Sequence, residues 1–298
     1  MSAADALATD SRSWRRSFDG VSVGITGIFA WLPISIIALF LFAALLGPVL
    51  VDYNPVTTHL SDRLLSPGAM RSTGEVALLG TDATGRDVFA QVLYGARTSM
   101  MIGAITVSVS CMVGMLVGLV AGYLGGFVDG VLSRIIDVLV AFPGIVLAIV
   151  IAGLFDRSIL VVIIALSVTG WVSFARLTRG ATLSIKEREW VSAARIMGVP
   201  RMRIMGRHVL PFLVGPAAAL ITLEFGLIVL GEAGLSFLGI GLPVSTVSWG
   251  QTIASGKEYL ATAWWISAFP GAALALLVVM IGLLGDQLNA RYQKGAAL

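Results

Sequence analysis

The sequence predicts an all-α polytopic membrane protein with six transmembrane helices, and three observations carry that prediction. The 298 residues are 57% hydrophobic and 12% charged, with a mean hydropathy of +0.92; a soluble domain carries about 25% charged residues. The apolar residues fall into runs long enough to cross about 30 Å of hydrocarbon. One long polar stretch, Arg188 to Pro211, interrupts the apolar second half.

Residue inventory removes several function classes. There is one cysteine, Cys111, set in an apolar run, and two histidines, His59 and His208, in different segments. Neither a disulfide framework nor a metal site of cysteine or histidine ligands is available from that set. The net charge of +3 comes without basic clusters interleaved with stacking aromatics, which argues against nucleic acid. No GxxxxGK[ST] phosphate loop occurs, so the chain lacks the usual means of binding and hydrolysing ATP. A membrane protease would need a Ser-His pair or two carboxylates at one depth. His208 falls at the edge of a span and His59 in the loop 52–97, and Asp137 and Glu224 are expected at different depths. No residue is therefore assigned a catalytic role.

In chain order, residues 1–27 form a polar tail with Arg12, Arg15 and Arg16. The apolar run that follows is roughly twice the length of a cleavable signal core, so 28–51 reads as a first transmembrane helix. Trp31 and Tyr53 are its interfacial anchors. Residues 52–97 form the largest loop outside the membrane, with no sustained period, and 98–288 hold the remaining five helices. The second span, about 99–123, carries Gly114, Gly118, Gly122 and Gly126 at intervals of four, a packing seam for a neighbouring helix. The third, about 131–154, contains Pro143, which favours a kink. The fourth, fifth and sixth fall at about 159–174, 209–230 and 264–284. Between the last two lies Glu232 to Trp265, too polar to cross and too apolar to float, which fits a re-entrant or interfacial lid. Residues 289–298 are a short tail.

Glu224 lies inside the fifth span, where a carboxylate costs on the order of 2.5 to 3.5 kcal/mol. It lines a watery path or finds a partner on an adjacent helix. Glu232, at the outer end of the same span, is expected to order the outer loop by accepting backbone hydrogen bonds.

With the N-terminus inside, the side that receives Arg188 to Pro211 holds more than twice as many lysines and arginines as the other. That loop, with both termini, is therefore expected in the cytoplasm. Trp190, Val191, Ala194 and Met197 give one apolar face of a short helix. Gly198 suits a left-handed helix end, and Pro200 the first turn of a second helix bearing Arg201, Arg203 and Arg207. The apolar face has two candidate occupants, another protein or an anionic lipid surface.

Three strings resolve the choice by resemblance. Ala193-Ala194, then Gly198, then Leu210-Pro211 resembles the EAA loop of ABC importer permease subunits, with Ser192 where the family's glutamate would fall. Leu79 to Arg97 (LGTDATGRDVFAQVLYGAR) resembles a signature of the dipeptide, oligopeptide and nickel branch, although Ala90-Gln91 replaces a common Ser-Arg. EAGLSFLG from Glu232, FPGAA from Phe269 and LLGDQL from Leu283 resemble the same branch, with Gly282 where an asparagine is common. The resemblance implies a type I importer permease fold and a bacterial inner-membrane location. It also implies half of a translocation pathway for di- or oligopeptides, or alternatively for nickel or another small solute. An ATPase-independent carrier is the remaining alternative. The implied partners are a second permease subunit, two cytoplasmic ATPase subunits and an extracytoplasmic solute-binding protein. This chain would bind no cofactor, with ATP and Mg²⁺ on the ATPases. The coupling loop, 186–211, would present Trp190, Val191, Ala193, Ala194, Arg195, Met197, Gly198, Arg207, His208 and Pro211. Pro143, Glu224 and Glu232 are the candidates for pathway or gating.

Overall fold

The computed structural model describes residues 31–50 and 57–296, with side chains at 31–47 and 57–290. The tail arginines and Tyr53 lie outside the described residues. Among the described residues the longer helices are α1 (Leu32–Leu50), α2 (Val88–Leu124), α3 (Gly126–Val140), α4 (Gly144–Gly153), α5 (Ile159–Lys186), α6 (Glu189–Ile196), α7 (Leu210–Phe237), α8 (Trp249–Gly256) and α9 (Trp265–Ala296). A short turn, Arg201–Arg203, and a π-helical turn, Ile204–Val209, run into α7 without a break.

Among the described residues, four helices are long and apolar enough to cross a membrane, with α7 counted from Arg201; α1 supplies a shorter apolar helix. The third expected span is not one helix. α3 and α4 meet at an 84° bend. Pro143 stands at the N-cap of α4 with extended backbone, and the ring that blocks a continuous hydrogen-bond ladder also turns the preceding residue away from helix. The ten residues of α4 rise about 15 Å, half of a hydrocarbon core.

The glycine seam finds its partner within the chain. A Cβ on Gly114 would fall on the Trp171 carbonyl and Phe174, one on Gly118 on the Ala175 carbonyl and Thr178, and one on Gly122 on Thr182 and the Arg179 carbonyl. All of those residues belong to α5, so α2 and α5 pack backbone to backbone. Gly126 is not part of the seam: α2 has already ended, and Gly126 faces open space at the start of α3. Asp129 on α3 forms a two-pronged pair with Arg179 on α5, one bond at 2.8 Å, and so fixes the amphipathic α3 against the bundle.

Two clusters fill the middle of the bundle. One joins α2, α4, α5 and α7 through Ile102, Ala148, Phe174 and Leu235, and the other joins α1, α2, α7, α8 and α9 around Trp249 and Leu277. The lid expected between Glu232 and Trp265 is built on α8. Ser248 caps it, and Trp249 is fully buried, its indole N–H donating to the Val92 carbonyl at 2.9 Å.

The outer loop has no sustained period, as its sequence predicts, yet it is ordered by side chains. Asp82 is buried and accepts from the Thr84 and Arg86 backbone N–H groups, the Arg86 guanidinium at 3.0 Å and the Gln91 amide at 2.9 Å. Gly85, at φ +77°, sits so close to the His59 carbonyl that a Cβ would collide with it. Asp87 caps α2 through the Phe89 N–H at 2.8 Å, and burial pushes its carboxyl up from the ordinary value. The signature string is thus a buried polar hub that seats the outer end of α2.

Candidate functional site

The loop between α5 and α7 folds as its residues require. Glu189 in the first turn and Arg195 in the last complement the dipole of α6. The helix ends in a Schellman motif: Gly198 at φ +77° donates to the Arg195 carbonyl, and Val199 donates to the Ala194 carbonyl, both at 3.1 Å. Pro200 occupies the N-cap of the next turn rather than its first helical position.

The apolar face of α6 is occupied differently from expectation. Val191 is fully buried and Ala194 nearly so, against Leu119, Tyr123, Ile185, Ile204, Val209 and Leu213 of the same chain. Neither a partner nor lipid is needed to cover them. α2, α5 and the start of α7 run on past the apolar core as a floor, and the spacing of apolar residues could not reveal that floor. Trp190 is half-buried, stacked on Phe212 at 5.6 Å and near His208 at 6.3 Å. Met197, expected on the buried face, points outward. With Ile196 it forms an exposed apolar tip, 74% and 88% accessible, joined by Met202 at 78%. Ala193, Arg195, Gly198, Arg207 and Pro211 are also exposed. Sequence reasoning missed Ile196 and Met202; the available signal was large apolar residues lying off the periodic face of a polar loop.

Of the intramembrane candidates, Glu224 is buried and lines a cavity of about 340 Å³ with Gly144, Ala148, Thr169, Ser173 and Leu227. Ser173 on α5 lines the same cavity. Pro143 is exposed beside this cavity, whose wall begins at Gly144. Glu232, two turns further along α7, is enclosed. Its carboxylate accepts from the Ser99 hydroxyl at 2.9 Å and the Ser236 hydroxyl at 2.8 Å, not from backbone N–H groups. Ser99 also receives the Trp249 N–H at 3.4 Å, so Glu232 ties α2 and α7 to the first residue of the lid helix.

Comparison with known proteins agrees with this geometry. Residues 114–296 match the family described as binding-protein-dependent transport system inner membrane component. The chain is 39% identical over 254 residues to the dipeptide transport system permease protein DppC of Escherichia coli strain K12, covering 85% of this chain and 84% of that protein. It is 38% identical over 254 residues to a putative peptide transport system permease protein of Brucella suis, covering 85% and 83%. It is 35% identical over 252 residues to a di/tripeptide transport system permease protein of Pseudomonas aeruginosa, covering 84% and 83%. In fold it resembles a chain of the inward-facing MetNI methionine ABC transporter, with a TM-score of 0.56 at 19% identity over 68% of this chain and 96% of that one. With its bundle, its ordered loop helix and these relatives, the chain belongs to the family of inner-membrane components of binding-protein-dependent transport systems.

Proposed function

We propose that the chain is one permease subunit of an ATP-driven importer of di- or oligopeptides, working beside a second permease subunit. The observation that carries this reading is the identity of 35–39%, over most of the chain, to permease proteins named for peptide or dipeptide transport. Both termini and α6 face the cytoplasm, as the distribution of lysine and arginine supports. Two ATPase subunits hold the ATP and Mg²⁺, and one of them docks on the tip formed by Ile196, Met197 and Met202, with Arg195 and Arg207 at its rim. A solute-binding protein delivers the peptide on the opposite side. The chain itself binds no cofactor and catalyses no reaction.

The geometry supports a coupling mechanism. Val191 and Ala194 lock α6 onto the ends of α2, α5 and α7, so a push on the tip moves three helices rather than bending a loop. Rigid-body rocking of those helices opens the pathway alternately to each side. The Glu224 cavity, beside the α3–α4 break, lies where such motion changes the lining, and its carboxylate suits the ammonium group of a peptide.

Reconstitution with the partner subunits and the binding protein tests the reading through ATP-dependent uptake of labelled dialanine. Uptake is expected from the wild-type complex and falls about tenfold with Glu224→Gln. Transport of a different solute class, with none of dialanine, would overturn the peptide assignment.

A further inference from the structure

The cavity that holds Glu224 does not end at its own walls. A second cavity, also of about 340 Å³, shares Gly144, Thr169 and Ser173 with it and runs on to Phe142 and Arg176. The two form one groove beside the α3–α4 break, with Glu224 of α7 in one half and Arg176 of α5 in the other. Thr169, Ser173 and Arg176 stand at spacings of four and three, so one face of α5 is its floor.

A charge on a membrane-spanning helix is costly and faces either a partner or a watery pathway. Arg176 has a partner, Asp137 on α3, but a loose one: the closest approach is 3.7 Å, and the two side chains are 53% and 61% accessible. That distance is beyond hydrogen-bond range, so the guanidinium fork stays open to a second carboxylate. Arg179, one turn on, is different, because its two-pronged pair with Asp129 occupies its fork. In the other half, no arginine, lysine or histidine among the described residues lines the Glu224 cavity. The groove thus offers a cation at one end and a carboxylate at the other, with the side chains of Thr169 and Ser173 between them.

Its length limits what can bridge the two charges. From Thr169 to Arg176 the floor rises about 10 Å, at about 1.5 Å per helical residue. An extended peptide spans at most about 3.5 Å per residue, so two or three residues fill it with the free ends apart.

We propose that this groove is a two-ended site for di- and tripeptides, in which Glu224 takes the α-ammonium and Arg176 the α-carboxylate. The inference rests on the reading of the chain as a peptide permease, and adds that the membrane subunit itself recognises both ends of its cargo. Peptides blocked at either end lose one of the two contacts.

The test is equilibrium binding of radiolabelled dialanine to the purified permease–ATPase complex without the solute-binding protein, in competition with dialanine amide and with N-acetyl-dialanine. Wild type is expected to prefer dialanine about tenfold over each blocked form, the loss of one charge-assisted contact. Arg176→Gln should erase the preference over the amide and keep that over the acetyl form; Glu224→Gln should do the reverse. Arg176→Lys, which keeps the charge, should restore part of the preference over the amide. Asp137→Asn, which removes the resident counter-ion, should leave that preference in place, as a purely structural role of the Asp137–Arg176 pair would not. Dialanine binding with both preferences unchanged in Arg176→Gln and Glu224→Gln would overturn the site and leave the peptide reading standing. So would a wild-type complex that transports dialanine with the binding protein but binds none without it. A reconstituted wild-type complex that transports no dialanine would overturn both.

Discussion

Asp62 shows how a single side chain can order a loop that has no regular structure. Its carboxylate accepts from the Ser72 backbone N–H at 2.7 Å and the Ser72 hydroxyl at 3.0 Å, with Arg71 at 3.9 Å. The backbone N–H, above all, holds its carboxyl below the ordinary carboxylate range, although burial opposes this. A carboxyl whose pKa is lower when folded adds stability above its unfolded pKa, about 3.9, and loses it as pH falls through the folded value. Asp62→Asn should therefore lower the thermal midpoint of the purified protein at pH 7, and the deficit should shrink toward pH 3. An equal deficit at both pH values would show that the charge is not what orders the loop. At this scale the sequence was partly legible: the string from Leu79 to Arg97 could be singled out by resemblance, but the role of Asp82 within it could not. Its burial depends on α2 and the outer loop meeting, which no local pattern records. Gln91 illustrates the same limit: it departs from the common Ser-Arg of the branch it resembles, yet its amide supplies a buried donor to Asp82.

Among the elements, α6 separates two kinds of apolar residue that its helical period cannot tell apart. Val191 is packed into its own chain and Met197 is displayed. Val191→Asp places a charge among Leu119, Tyr123 and Ile204, and should cost about 3 kcal/mol or more. The expected result is a lowered thermal midpoint and early proteolytic cutting between α5 and α7. A midpoint within error of wild type would mean that α6 is not anchored as described. The spans were legible as elements because apolar runs are long and their charges few. Their ends were not: α5 was expected to stop near Phe174 and continues to Lys186, since helix propensity persists after hydrophobicity falls. The 84° break was underread as a kink within one span. Pro143 marks the place, but the angle is set by the Asp129–Arg179 pair and by the packing of α4 on α5.

For the whole molecule, the arrangement is a bundle whose two ends do different work. One end is closed by the signature loop, α8 and the Glu232 network, all tied by buried hydrogen bonds. The other end carries α6 on the extended feet of α2, α5 and α7, with an apolar tip exposed beyond them. That the chain is a bundle of long apolar helices with a polar loop helix after α5 could be read from hydropathy, because the bilayer demands long apolar runs. Which residues face a partner could not, since that depends on where three distant helices stop. Docking of ATPases on the exposed tip is tested by purifying the tagged chain from its native membrane in mild detergent, as wild type and as Met197→Asp, and quantifying what accompanies each by mass spectrometry. Wild type is expected to carry a second permease and P-loop ATPases, and Met197→Asp to keep the second permease, elute as a folded protein and lose at least nine-tenths of the ATPases. Equal recovery of ATPases with both, or a wild-type chain that travels alone, would contradict docking at the tip.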